Sequence, residues 1–239
     1  MKKIVFFTGA GISAESGIKT FRDSGGLWEE YKVDEICNIN NWKANKNKVF
    51  EFYQKRREQL SVVEPNLIHK KIAEIQKEFS LINVEVIIIT QNIDNLLERA
   101  GCENVLHVHG DLNSLQCLDC DHSWNVEEIK KSFCHKCNKS DNVKPNVVFF
   151  GQDNALNYHL MKNELNDLNH DDTLVVMGTL GNVVPIERYA SVHSGFSILN
   201  NLESSPYIRD FYFKKTIYDK GTNAILEIER ELKNKYSKL

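Results

Sequence analysis

The chain has 239 residues, 41% hydrophobic and 26% charged, with a net charge of −3. This is the composition of a globular protein long enough for one large core and a small insert. The charge balance leaves no footprint for nucleic acid, and no apolar run approaches the roughly 18–20 residues of a membrane span. Neither partner is expected, and the chain is expected to be a monomer. MKKIVFFTGAG opens with two lysines and a short apolar run that stops at glycines. It reads as a buried first strand rather than an export signal. The expected compartment is the cytoplasm, where six cysteines point to metal or free thiols over disulfides.

In chain order, the β-branched runs 4–7, 84–90, 105–109, 146–150, 173–178 and 196–200 read as buried strands. Helical patterns lie near 65–79, 93–100, 155–168 and 221–236. Strands alternating with helices predict an α/β fold, a Rossmann-like parallel sheet with helices on both faces. Runs such as VIII fit strands covered on both sides. Two segments interrupt this pattern. Residues 19–62 carry no strand signal and read as a loop plus small helices. Residues 112–145 hold four cysteines, the mark of a small zinc-ribbon module. The division expected is a sheet domain of 1–18, 64–111 and 146–239, a loop and helical module over 19–63, and a metal module over 112–145.

After the first strand, Gly9, Gly11 and Ala14 satisfy G-x-G-x-x-G/A, a turn that lets backbone approach a pyrophosphate at a helix N-terminus. Alone the pattern fits any tight strand-to-helix turn. The long glycine-rich, aromatic segment that follows is typical of a lid or binding loop. Cys117-x-x-Cys120 and Cys134-x-x-Cys137 have zinc-ligand spacing, and four thiolates close the tetrahedron, so the metal is expected to be structural. His122 and His135 are not expected to bind it. Gln91, Asn92 and Asp94 follow a strand's carboxyl end, where open α/β sheets bind ligands, although such residues also serve as turn formers. His107 and His109 are both possible general bases near neutral pH. On a helix over 51–60, Val49, Tyr53, Arg56 and Leu60 share one stripe. A guanidinium inside an apolar stripe needs an anion. It could be an acidic residue of the 29–35 segment or part of a substrate.

Taken together, GAGISAESGIKTFRDSGGLWEEY, TQNIDNLLERAG (90–101), HVHGDL (107–112), the cysteine pairs, NVVFFG (146–151) and MGT (177–179) resemble the sirtuins, NAD-dependent protein-lysine deacylases. The resemblance implies NAD as cofactor, one structural zinc ion, and acylated-lysine proteins or peptides as partners. It implies cofactor contacts at Gly9, Ala10, Gly11, Ser13, Glu15, Phe21, Arg22, Gln91, Asn92, Asp94, Gly178, Thr179 and Asn201. It makes His109 the catalytic base together with Asn92, and leaves His107 a structural role. Val147, Phe150 and Gly151 would line a peptide groove that pairs with substrate as a strand.

Tyr53-x-x-Arg56 resembles the acyl-pocket pair of a sirtuin class that prefers succinyl, malonyl and glutaryl groups. In the implied mechanism the acyl carbonyl oxygen attacks the nicotinamide ribose, nicotinamide leaves, and His109 helps a ribose hydroxyl attack the resulting imidate. Water would finish the reaction, giving free lysine, nicotinamide and O-acyl-ADP-ribose. Lys19, Cys37-Asn38, Leu97, Gln152 and Leu180 depart from the family pattern. With those departures, an NAD glycohydrolase or ADP-ribosyltransferase and a non-catalytic acyl-lysine sensor stand as the alternatives.

Overall fold

The computed structural model describes residues 2–18, 31–127, 133–152 and 155–236. Phe21 and Arg22 of the expected cofactor loop lie outside the described residues, as does Lys19. Six strands form one sheet, all in parallel: β1 (Lys2–Thr8), β2 (Val84–Thr90), β3 (Leu106–His107), β7 (Thr173–Met177), β8 (Phe196–Asn201) and β9 (Lys215–Tyr218), in the order β3-β2-β1-β7-β8-β9. The order reverses between β1 and β7. At such a switch point the loops leaving two neighbouring strands diverge to opposite faces and open a crevice.

Alternation along the strands explains the two-sided burial. Ile4, Phe6, Ile88, Val175 and Ile198 face α4 (Leu67–Ser80) and α8 (Gly221–Tyr236), which supply Ile68, Ile72, Ile75, Phe79, Ile225 and Ile228. Val5, Phe7, Ile89, Leu174, Val176 and Leu199 face α6 (Ala155–Asn166) and α7 (Ile186–Val192) through Met161, Leu165, Ile186 and Ala190.

The 19–62 region differs from its expected reading. Beyond the short α2 (Val33–Ile36), it contains a 16-residue helix, α3 (Lys46–Ser61). The α3 sequence is too polar for its pattern to dominate. Only Val49, Phe52, Tyr53 and Leu60 are buried, and they need Trp42, Ile36, Leu112 and Phe149 from elsewhere in the chain. The 105–109 strand shrinks to Leu106–His107, because Gly110 turns the chain at φ +91°. The 146–150 strand is instead β6 (Val143–Val147), and it belongs to a separate antiparallel sheet, β5-β4-β6, with β4 (Gly110–Cys117) and β5 (Ser123–Asn125). Pro145 sits on β6, an edge strand, where a missing N–H costs no ladder bond.

The two sheets meet behind His109: Val148 N donates to His109 O at 2.9 Å, and Gly110 pairs with Val147. The remaining helices are single turns, α1 (Gly11–Ala14) and α5 (Leu96–Arg99).

At the switch point the glycines are needed by the protein itself. A Cβ on Gly9 would lie 2.6 Å from Gly178 O, one on Gly11 2.7 Å from Gly178 Cα, and one on Gly178 2.7 Å from Ile12 N. Gly178 also has φ +63°. Replacing Gly178 by alanine is therefore expected to destabilise the fold by about 1–3 kcal/mol, read as a lowered unfolding midpoint. An unchanged midpoint would show that the loop and β7 can separate freely.

Candidate active site

Thr8, Thr90 and Met177 are in register at the carboxyl ends of β1, β2 and β7, and the candidate residues follow them. Gly9 N donates to Met177 O (3.0 Å) and Gly11 N to Gly178 O (2.9 Å), which fastens the glycine loop to the end of β7. The helix after the loop is a single turn, so the expected helix dipole behind a pyrophosphate is small. Close backbone approach, rather than a dipole, is what these glycines provide.

From β2's end, Gln91 Nε2 donates to Thr179 Oγ1 at 2.8 Å, which joins two expected cofactor residues across the crevice. Asn92 is buried, and its Nδ2 donates to Ser13 Oγ (3.0 Å). Ser13 Oγ in turn donates to Asp94 Oδ2 (3.0 Å), and Asp94 Oδ1 accepts from Leu96 N (3.2 Å). Burial raises the Asp94 carboxyl above its ordinary value, opposed by the Leu96 N–H, Ser13 and the more distant charges of His107 and Arg56. Asn201 is buried at the end of β8, and its Nδ2 has no hydrogen-bond partner. An orphaned buried donor beside the glycine crevice is a fitting contact for a nucleotide. Glu15 points elsewhere: its carboxylate accepts from Thr222 N (3.1 Å) and Thr222 Oγ1 (2.7 Å), which ties α1 to the start of α8.

The two histidines, told apart in the sequence only by the family resemblance, differ in their hydrogen bonds. His107 Nδ1 bonds Asn92 O (2.7 Å) and its Nε2 bonds Glu98 Oε1 (2.6 Å). Two acceptors need two ring protons, so burial is outweighed by Glu98 and its pKa is raised from 6.5. His109 Nδ1 donates to Gln91 O at 3.0 Å. That bond puts the proton on Nδ1 and leaves Nε2 as an acceptor, while burial lowers the pKa below 6.5. A neutral imidazole with a basic Nε2 is the form a general base requires.

Tyr53 is buried, stacked on Phe149 with ring centroids 6.1 Å apart, and its hydroxyl lies 3.0 Å from Cys37 Sγ. Arg56 is one helical turn away. Burial pulls its guanidinium below the ordinary value, and Asp94 leads the charges that oppose this. Of the acids in the 29–35 segment, Glu35 pairs with Lys48 (2.9 Å) and Asp34 with Asn38 and Asn41 (both 2.7 Å), while Glu29 and Glu30 lie outside the described residues. Arg57 binds Gln54 and Leu112 O.

Of the expected groove residues, Val147 is buried, Phe150 is 54% exposed and Gly151 has φ +77°. Phe150 N donates to Cys37 O (2.6 Å) and Phe150 O accepts from Ile39 N (3.1 Å), so its backbone is already bridged to 37–39.

Sequence reading passed over Lys144. Its fully buried Nζ donates to Val147 O (2.6 Å) and Pro145 O (3.0 Å) and lies 4.3 Å from the Phe149 ring centroid. Burial draws its pKa down to about 7. No spacing rule marks a lysine in a polar edge strand, so only the fold reveals it.

Cys117, Cys120, Cys134 and Cys137 place all four Sγ atoms within 4.8 Å of one another. Cys117–Cys137 and Cys120–Cys134 are each 3.6 Å apart, far beyond a disulfide bond of about 2.05 Å. These separations match the edge of about 3.8 Å for a tetrahedron with Zn–S near 2.3 Å. The cysteines therefore fit one structural zinc ion. His122 and His135 face each other instead, their Nε2 atoms 2.9 Å apart.

A family model described as the Sir2 family matches residues 9–185. An NAD-dependent protein deacylase of Helicobacter hepaticus is 41% identical over 97% of this chain and 98% of its own length. One of Campylobacter jejuni is 42% identical over 98% and 97%. Among solved structures, a Sir2 homologue described in complex with NAD superposes with a TM-score of 0.80 at 31% identity, covering 98% of this chain and 91% of its own.

Two outcomes are expected. By NMR, His107 titrates above pH 6.5 and His109 below it; the reverse order would reassign the two rings. Because its folded pKa is raised, His107 contributes stability that is complete below about pH 6.5 and fades as pH rises through the folded value. Chelation of the metal is expected to melt the cysteine module while the parallel sheet keeps its circular dichroism. A module that stays ordered without metal would remove zinc from its fold.

Proposed function

The chain belongs to the Sir2 family and is an NAD-dependent protein deacylase, and we propose that it removes acyl groups ending in a carboxylate, succinyl and malonyl, from lysine side chains. The single observation that carries this reading is the position of Arg56. Its guanidinium is desolvated one helical turn from Tyr53, the ring that stacks on Phe149. A guanidinium fork matches a carboxylate bidentately, and desolvation raises the value of that match. Burial holds the Tyr53 phenol far above its ordinary pKa, so it stays protonated and able to donate.

Around this pocket each group has a role under the proposal. Bound NAD supplies the electrophilic ribose carbon and nicotinamide as leaving group. Gly9, Gly11 and Gly178 let backbone approach its phosphates, with Gln91, Thr179 and Asn201 as further contacts. Asn92 and Asp94 face the nicotinamide ribose, with Ser13 behind them. His109 takes a hydroxyl proton on Nε2, its ring held by Gln91 O. The buried crevice keeps water away from the reacting carbon. Once nicotinamide has left, one water hydrolyses the adduct formed with the ribose hydroxyl, and the products are nicotinamide, lysine and O-acyl-ADP-ribose.

One observation favours acetyl as a second reading: the Tyr53 hydroxyl already has Cys37 Sγ as a partner, 3.0 Å away. A single experiment decides. The protein is incubated with NAD and matched acetyl- and succinyl-lysine peptides, and products are followed by mass spectrometry. Succinyl turnover is expected to exceed acetyl turnover, and Arg56→Met to lower kcat/KM for the succinyl peptide by about 100-fold, as expected for a lost charged hydrogen-bond pair, while sparing the acetyl peptide. Equal loss on both peptides would overturn the carboxylate reading. ADP-ribose formed without peptide turnover would favour a glycohydrolase.

A further inference from the structure

His69 takes no part in the chemistry above, yet it is fully buried directly behind the site. It is the third residue of α4. That helix begins with a reciprocal cap in which Asn66 Oδ1 accepts from Ile68 N (2.9 Å) and Asn66 N donates to His69 Nδ1 (3.3 Å). The same Asn66 reaches forward with Nδ2 to Ile12 O (2.8 Å), so the first turn of α4 grips the glycine-loop helix by its backbone. His69 Nε2 lies 3.5 Å from Ser13 Oγ, the atom shared by Asn92 and Asp94.

Proton counting gives this cluster a direction. Burial lowers His69 to about 4, so the ring is neutral at working pH and carries one proton. Nδ1 lies 3.3 Å from Asn66 N and 3.1 Å from Asn66 Oδ1, which already accepts from Ile68 N; because the Ser13 proton goes to the Asp94 carboxylate, the ring bonds Ser13 only as the tautomer with its proton on Nε2. Ser13 has one hydroxyl proton and two lone pairs. The Asp94 carboxylate takes the proton, and the lone pairs take Asn92 Nδ2–H and His69 Nε2–H. Asn92 must then present its amide nitrogen inward and its carbonyl oxygen to the crevice. Without a donor behind it, Ser13 can turn its proton to Asn92 Oδ1, and the amide can flip.

We propose that His69 is a positioning residue that acts through Ser13 to fix which end of the Asn92 amide faces the nicotinamide ribose of NAD. The inference rests on Ser13 and Asn92 lining the NAD site. It adds that the first turn of α4, Asn66-x-x-His69, sets the polarity of that site from outside it.

The test compares three substitutions in the full chain, measuring KM for NAD, KM for acyl-lysine peptide and the unfolding midpoint. His69→Gln returns an N–H near the Nε2 position, whereas His69→Asn reaches only as far as Nδ1, and His69→Phe returns neither. His69→Phe and His69→Asn are expected to raise KM for NAD about tenfold, the equivalent of one hydrogen bond, with the peptide KM unchanged. His69→Gln is expected to stay within about twofold of wild type. Cys102→Ala, which removes the thiol beside His69 O (3.9 Å), is expected to lower the midpoint and leave KM for NAD alone.

Equal KM values for the Gln and Asn variants would overturn the proposal, and so would a KM for NAD that merely tracks the midpoint across all variants. If the Phe variant does not fold, the Gln and Asn pair still decides. Ser13→Ala separates this from the site reading. A Ser13→Ala protein with unaltered KM for NAD would mean that Ser13 does not line the NAD site. A raised KM there with a normal one in His69→Asn would overturn the role of His69 alone.

Discussion

The close approach of three glycines at the carboxyl ends of β1 and β7 is the constraint on which the site depends. Gly9 and Gly11 lie so near Gly178 that side chains there would collide with backbone. The contact occurs where the strand order reverses, so it joins the two halves of the sheet at the point where a crevice must open. Once that contact is made, Ser13 and Thr179 are brought against the end of β2, where Asn92 and Gln91 meet them. A loop that looks suited to phosphate is first a packing device, and its catalytic geometry follows from the packing.

The polar interior shows how one environment can set neighbouring groups to different tasks. His107 and His109 are two residues apart and both accept burial, yet one bonds two acceptors and the other a single carbonyl. Their protonation follows from partners rather than from depth, since Glu98 outweighs the desolvation of His107 and, among the described residues, only the Gln91 carbonyl opposes that of His109. Arg56 and Lys144 extend the theme around Tyr53: two cations lowered by burial, near a thiol and a phenol that burial raises.

The parallel sheet was legible because its strands carry their own signal. VEVIIIT is β-branched at every position but Glu85, and α4 repeats isoleucines at helical spacing. The antiparallel sheet was not, because β4 reads GDLNSLQC and β6 contains a proline; both are strands only through their partners and the cysteine cluster. In α3 the stripe of Val49, Tyr53 and Leu60 was visible, but the length of the helix was not, since most of its residues are polar and tertiary contact sustains it. The four cysteines were readable from spacing alone. Lys144 and the different partners of the two histidines were not, because hydrogen bonds between distant segments set them.

Helix α3 also has a second attachment. Phe50 packs against the cysteine cluster, and Lys46 Nζ donates to Ser140 O (2.7 Å), while Tyr53, one turn along, stacks on Phe149. One rigid element thus has its beginning against the cysteine module and its middle at the proposed acyl pocket. Under that proposal, metal and acyl group are linked ligands of a single helix. Whatever free energy zinc spends in ordering α3, an acyl-lysine need not spend again, and by reciprocity an occupied pocket must hold the metal more tightly.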